Sequence, residues 1–159
     1  MGRSNIDITI YMIHTNTREL SKPFIKWVGG KGQLLQQLER QLPTDLHEEE
    51  FTYIEPFVGG GAMLFYMLQN FMNIKQVVIN DINRNLTEAY RVIKQEPEGL
   101  VYRLKQIEQL YLNITTEDGR KNFYLEMRRR FNEEVLSCLD KSAILIFLNR
   151  TCFNGLYCG

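Results

Sequence analysis

The sequence lacks an excess of either charge. Its 19 basic and 19 acidic side chains cancel, so no overall field would hold the chain on nucleic acid or on an anionic membrane. Contact with a charged partner must therefore come from a local patch. No signal-like apolar core opens the sequence, and no apolar stretch has membrane length. We expect a soluble, cytoplasmic protein with no membrane partner.

Cysteine and histidine are scarce. The three cysteines, Cys138, Cys152 and Cys158, lack Cys-x-x-Cys spacing, and the two histidines, His14 and His47, lie far from them in the sequence. An odd number of cysteines without metal-ligand spacing favours free thiols in a reducing compartment over disulfides or zinc. We expect no metal site.

The two commonest nucleotide-binding motifs are also missing. The dinucleotide pattern requires a small residue where Leu64 stands, and a phosphate-binding loop requires glycine at Ile25 and serine or threonine at Gly32. Neither NAD nor ATP is favoured. A dehydrogenase that shares a glycine turn by convergence is therefore only a distant alternative.

What the sequence does contain is an alternation of strands and helices. Apolar and β-branched runs predict strands at 51–57 and 76–81, and helix formers with helical spacing follow at 62–68 and 85–94. This order predicts a parallel, doubly wound sheet. Ahead of the first predicted strand, the leucines at 34–42 have helical spacing, which predicts a further helix.

The remainder of the sequence is predicted to be helical, with one ambiguous segment at each end. Beyond Pro97 the apolar spacing indicates helices. Segment 143–148 is apolar all round, so it suits a buried helix or a buried strand; we favour a helix beginning near Ser137 or Asp140. Residues 6–12 alternate, which suits either a short strand or a disordered extension.

Two features after the predicted strands suggest a nucleoside site. Glu55-Pro-Phe-Val-Gly-Gly-Gly61 places glycines between a strand and a helix, where the backbone can approach a ligand closely. Asp81 ends the next strand, where a carboxylate can accept ribose hydroxyls. The alternative is structural, with a tight glycine turn and Asp81 as a helix cap. Together the features favour an adenosine pocket.

A third motif precedes these two. Lys22-Pro-Phe-Ile-Lys-Trp-Val-Gly-Gly-Lys31 combines an aromatic residue, two glycines and lysines ahead of a helix. The indole could pack on a purine and Lys31 could neutralise a carboxylate. A single tryptophan is as well explained by core packing.

In this order, Lys26-Trp-x-Gly-Gly-Lys31, Glu55-Pro-Phe-x-Gly-x-Gly61 and Asn80-Asp81 resemble the adenine-specific DNA methyltransferases of the Dam type. The resemblance covers about residues 22–157 and includes 128–132 and 148–157, which are similar to that family's helical target-recognition part. It implies a Rossmann-like α/β fold that uses S-adenosylmethionine (AdoMet), with duplex DNA as partner, in a bacterial or phage-encoded protein. The division it implies is 1–21 as extension, 22–96 as AdoMet-binding part and 97–159 as the start of target recognition.

The site residues are carried over from the resemblance. It implies that the AdoMet pocket is lined by Trp27, Gly29, Lys31, Glu55, Phe57, Gly59 and Asp81. It implies that DNA is contacted by Lys26, Arg128, Asn149, Arg150 and Asn154. Alternatively, the arginines form a solvated helix face, since consecutive residues on a helix point in different directions, and the asparagines are turn or capping residues.

The family's catalytic Asp/Asn-Pro-Pro-Tyr/Phe is absent, because the four prolines, Pro23, Pro43, Pro56 and Pro97, never adjoin. Cys158 also stands where the family often has arginine. We expect a truncated or frame-shifted methyltransferase that is inactive alone and that associates through an incomplete sheet edge. The alternative is a non-catalytic AdoMet- or DNA-binding remnant, or a subunit completed by another chain.

Overall fold

The computed structural model describes residues 6–8, 22–26 and 34–152. By compactness the chain divides into two units. The sheet unit contains the described residues 6–8, 22–24 and 34–82, and the helical unit contains 25–26 and 83–152. The elements of the sheet unit are β1 (Ile6–Ile8), α1 (Leu35–Glu39), β2 (Phe51–Glu55), α2 (Ala62–Asn70) and β3 (Ile74–Ile79). Those of the helical unit are α3 (Arg84–Gln95), α4 (Pro97–Leu112), α5 (Glu117–Glu133) and α6 (Cys138–Thr151).

The sheet has the order β1-β3-β2. β2 and β3 are parallel, with Glu55 opposite Ile79 at their carboxyl ends, and the helix between them is α2. The predicted parallel strand–helix–strand unit is thus confirmed. β1 pairs antiparallel with β3, so the sheet is mixed rather than wholly parallel; antiparallel edge strands are common on such sheets. The rest of segment 6–12 lies outside the described residues.

One hydrophobic cluster of the sheet unit is rich in methionine and aromatic side chains. Met63, Met67 and Phe71 are buried at its centre. The partly buried residues around them are Leu35, Leu38, Leu42, Leu46, Phe51, Tyr53, Tyr66 and Ile74. The predicted helix at 34–42 is shorter than expected, because after Glu39 the chain turns with i→i+3 hydrogen bonds from Gln41 and Leu42 before Pro43.

The helical unit is built around α6. Its residues from Ser142 to Asn149 are all buried, and it contacts α3, α4 and α5. The rings of Tyr111, Phe123 and Phe147, from α4, α5 and α6, meet in a triangle with centroids 5.4–6.0 Å apart. Ser137 caps α6 by accepting a hydrogen bond from the amide of Asp140. The prediction of a buried helix is confirmed, and its ambiguity arose because neighbours cover it on all sides.

The described cysteines are unpaired, and the described helices are short or polar. Cys138 and Cys152 carry free thiols, whereas Cys158 lies outside the described residues. Within 6–8, 22–26 and 34–152, no helix combines the length and hydropathy needed to cross a membrane.

Candidate functional site

The carboxyl ends of β2 and β3 continue to pair beyond the strands themselves. The amide of Asn80 donates to the carbonyl of Glu55, and the amide of Val58 donates to the carbonyl of Asn80, both at 2.9 Å. These bonds hold the glycine turn and the residues after β3 side by side.

The next bond joins the two predicted motifs directly. The amide of Gly59 donates to Oδ2 of Asp81 at 2.9 Å. Asp81 does not cap α3, because that cap is Asn83, whose side chain accepts from the amides of Asn85 and Leu86. The alternative of Asp81 as a helix cap is therefore wrong. Its half-buried carboxylate instead lies at the glycine turn.

The turn requires glycine for its conformation. Gly59 has φ of 53° and Gly61 has φ of 84°, in the left-handed region that other residues reach only at a cost. Gly61 is also the N-cap of α2 and has no side chain to bond to the helix amides. The amides of Gly59 and Gly61 are both hydrogen-bonded, to Asp81 and to the carbonyl of Val58, so the glycines serve the conformation of the turn.

Glu55 is the last residue of β2, directly ahead of this turn. It is 3% exposed, and its Oε2 accepts a hydrogen bond from the hydroxyl of Tyr53 at 2.8 Å. Burial, and then the charge and hydrogen bond of Glu55, raise the pKa of Tyr53 far above its ordinary range. The Tyr53 hydroxyl is therefore even harder to deprotonate than an ordinary tyrosine, and it donates to Glu55. Tyr53 was not among the predicted site residues, although it lies two residues before Glu55 on the same strand face.

Apolar side chains flank the turn at the surface. Phe57 is 71% exposed and Ile82, directly after Asp81, is 92% exposed. Small-molecule sites are lined by apolar and aromatic side chains with a few polar groups among them, so these two residues are candidates for such a lining. Ile82 was not among the predicted site residues. The available indication in the sequence was its place as an aliphatic residue between the polar residues Asp81 and Asn83.

The first motif is only partly within the described residues. Lys26 has an exposed side chain. Trp27, Gly29 and Lys31, predicted to line the AdoMet pocket, lie outside the described residues, and so does Asn154, predicted to contact DNA.

Asn149, also predicted to contact DNA, is buried at 2% exposure. Its Oδ1 accepts from the amide of Lys26 at 2.8 Å, and its Nδ2 donates to the carbonyl of Lys26 at 2.7 Å. A contact of Asn149 with DNA stays a prediction, and the contacts in the structure are with main chain.

The three consecutive arginines of α5 differ in their surroundings. Arg129 forms ion pairs with Glu126, Glu133 and Glu134. Arg130 pairs with Glu134 at 3.1 Å. The exposed side chain of Arg128 has no ion pair within the part of the chain that the structure describes. On α6, Arg150 is exposed next to Asn149.

Comparisons with known proteins agree on one family. A family model described as D12 class N6 adenine-specific DNA methyltransferase matches residues 27–158. Type II methyltransferase M.MjaIII of Methanocaldococcus jannaschii is 46% identical over 139 residues, covering 86% of this chain and 47% of the relative. DNA N-6-adenine-methyltransferase of Escherichia phage P1 is 36% identical over 140 residues, covering 87% and 16%. DNA adenine methylase of Vibrio cholerae is 31% identical over 137 residues, covering 85% and 43%. The chain spans less than half the length of these relatives.

Proposed function

Because the chain belongs to the D12 class N6 adenine-specific DNA methyltransferase family, we propose that it binds AdoMet and duplex DNA in methyl transfer to the N6 amine of adenine. We further propose that the sheet unit is part of a Rossmann-like AdoMet domain and that the helical unit begins the target-recognition region. The observation that carries the proposal is the hydrogen bond between Gly59 and Asp81.

The proposal for AdoMet rests on the groups gathered at this turn. A carboxylate can accept several hydrogen bonds at once, so Asp81 can bond ribose hydroxyls while it also accepts from Gly59. Phe57 and Ile82 offer apolar surface to the adenosine part. The buried carboxylate of Glu55 favours a cationic ligand group such as the AdoMet ammonium, since a buried charge is stabilised by an opposite one.

Each of these residues has a task in binding rather than in chemistry. Bound AdoMet supplies an electrophilic methyl group on its sulfonium. Asp81 fixes the ribose, and the glycine turn permits close approach of the ligand to main chain. Tyr53, kept protonated, holds the Glu55 carboxylate in one orientation. Such fixed orientation is what an in-line transfer requires.

For DNA, we propose that Arg128 is the arginine of α5 that contacts a phosphate. Arg129 and Arg130 already have carboxylate partners, and those partners offset their charge. An arginine without such a partner is ready to bind phosphate in a bidentate manner. Exposed Lys26 and Arg150 are the other proposed phosphate ligands.

The AdoMet proposal is tested by calorimetric titration. We expect saturable binding by the wild-type chain. Asp81→Asn keeps an acceptor for the Gly59 amide but loses the charge, so affinity should fall roughly 10- to 100-fold. The matched control is Thr116→Ala, which removes the N-cap of α5 and should leave affinity unchanged. Absence of saturable binding by folded wild-type protein would overturn the proposal.

The DNA proposal is tested by fluorescence anisotropy with a labelled duplex at several salt concentrations. Arg128→Ala should weaken binding and reduce the slope of log K against log salt by about 0.9, the value for one phosphate contact. Arg129→Ala is the matched control, with the same loss of charge one residue away. Equal effects of the two variants would mean that charge alone matters and would count against Arg128 as a specific ligand.

A second candidate function is binding without turnover. It is favoured by the described site, where the hydrogen bond of Gly59 to Asp81 and that of Tyr53 to Glu55 place groups suited to binding a ligand. In this case the chain binds AdoMet or DNA alone and methylates only with groups that another chain supplies. Incorporation of labelled methyl into adenine-containing duplex by the purified chain would exclude it.

A further inference from the structure

Asn149 is the buried polar residue of α6 whose side chain contacts the most distant part of the chain. It bonds both main-chain groups of Lys26, a residue 123 positions earlier. The side-chain amide donates one bond and accepts the other, as a neighbouring strand would. Both bonds lie within the helical unit, to which Ile25 and Lys26 belong.

The contact of Asn149 lies directly ahead of the Trp27 motif in the sequence. The side chain of Ile25 is buried at 3% exposure, and the main chain of Lys26 is bonded at both its amide and its carbonyl. Two successive residues are therefore held, the first by packing and the second by hydrogen bonds. The next residue is Trp27, the single tryptophan of the sequence. In the sequence, Trp27 and Lys31 therefore follow directly on a main chain that Asn149 holds.

We propose that Asn149 is a positioning residue that fixes the main chain of Lys26 and thereby the point from which the segment with Trp27 and Lys31 begins. Its effect on AdoMet rests on the proposed function, because Trp27 and Lys31 are proposed AdoMet ligands. Asn149 itself touches neither cofactor nor DNA in this proposal. Fixing the main chain beforehand lowers the entropy lost when a ligand orders the segment.

The single tryptophan makes the proposal testable without any ligand. Fluorescence emission and time-resolved anisotropy of Trp27 report directly on the residue after Lys26. In Asn149→Ala we expect faster local motion of Trp27 and a shifted emission, while far-UV circular dichroism remains that of a folded protein. AdoMet affinity should fall about tenfold, the loss expected for a hydrogen-bonded contact.

Asn149→Asp sharpens the test through its pH dependence. The carboxylate can accept from the Lys26 amide but places a second oxygen against the Lys26 carbonyl, so one bond is replaced by repulsion. A protonated carboxyl group can again donate to that carbonyl. The Trp27 signal of this variant should therefore return toward wild type as the pH falls through the pKa of the new carboxyl. Wild-type protein over the same pH range is the control.

Leu145→Ala separates positioning from general destabilisation. Leu145 is a buried apolar residue of the same helix, and its truncation should lower the melting temperature without changing Trp27 fluorescence in the folded state. An unchanged Trp27 signal in folded Asn149→Ala, or no acid recovery in Asn149→Asp, would overturn the proposal. If Asn149→Ala fails to fold, the acid recovery of Asn149→Asp decides. If the wild type fails to bind AdoMet but Trp27 responds as expected, the proposed function fails and the positioning role stands.

Discussion

Asp81 in the sheet unit and Asn149 in the helical unit both bind the main chain of another segment, but in different surroundings. Asp81 is half-buried, and among its contacts its carboxylate accepts from the amide of Gly59, 22 positions earlier. Asn149 is 2% exposed, and it both donates and accepts across 123 positions.

Because of this difference in burial, a ligand can share the contact of Asp81 but cannot share that of Asn149. Water and small molecules reach a half-buried carboxylate, which has capacity for further hydrogen bonds. A buried amide whose oxygen and nitrogen are both bonded to main chain exchanges partners only if the surrounding packing opens. The same kind of polar contact therefore suits ligand binding in the sheet unit and fixed geometry in the helical unit.

The largest expected effect is on the free energy of unfolding when Asn149 or Asp81 is truncated to alanine. Asn149→Ala should destabilise the protein by about 2–3 kcal/mol, because two bonds are lost and a buried cavity remains. Asp81→Ala should cost about 1 kcal/mol or less, because water can replace the carboxylate at the Gly59 amide. Urea unfolding followed by circular dichroism measures both. Equal losses would contradict the distinction between the two contacts.

A smaller effect concerns the backbone of the turn beside Asp81. Gly59 has φ of 53°, so Gly59→Ala should destabilise the protein by about 1 kcal/mol through left-handed strain. Gly59→Asn should cost less, because asparagine adopts this conformation more readily. Urea midpoints of the two variants give the comparison. A greater loss for asparagine would mean that side-chain size, not φ, limits this position.

The sheet unit was predictable from sequence because its signals are local. The glycines after β2 and Asp81 after β3 lie at fixed offsets from strand ends, and parallel pairing then brings them together. The antiparallel pairing of β1 escaped prediction because it depends on which strand lies beside it. The bond of Tyr53 to Glu55 also escaped prediction, because strand spacing shows that two side chains share a face but not that they bond.

The helical unit was predictable as helices but not in its polar contacts. Sequence periodicity cannot tell that Asn149 bonds Lys26, because the partners are remote in the chain. Nor does it reveal which of three adjacent arginines lacks a carboxylate, since that depends on how Glu126, Glu133 and Glu134 are arranged around α5 and its end.

Ser142 offers an internal contrast to Asn149 on the same helix. Its hydroxyl is buried and has no hydrogen-bond partner in the described part of the chain. Ser142→Ala removes an unsatisfied group and improves helix propensity, so stability should stay unchanged or rise by up to about 1 kcal/mol. Thermal unfolding of wild type, Ser142→Ala and Asn149→Ala, compared under the same conditions, tests this. A loss above about 1 kcal/mol would mean that the hydroxyl is hydrogen-bonded.

The smallest expected effect lies at the water-exposed end of α5, where polar contacts are screened. A hydrogen bond from Arg129 lowers the pKa of Glu126, and bonds from Arg130 and then Arg129 lower that of Glu134. Lowered carboxyl pKa values stabilise the fold above the ordinary glutamate pKa of about 4.3. That contribution is lost as the pH falls through the lowered values.

Arg129→Ala should therefore raise the pKa of Glu126 toward its ordinary value, while Glu134 changes less because Arg130 still bonds it. NMR titration of the glutamate side chains measures both shifts, and Arg128→Ala is the control that should move neither. A Glu126 pKa unchanged in Arg129→Ala would mean that Arg129 is solvated rather than paired. It would then compete with Arg128 for phosphate, and the contrast between the two arginines would disappear.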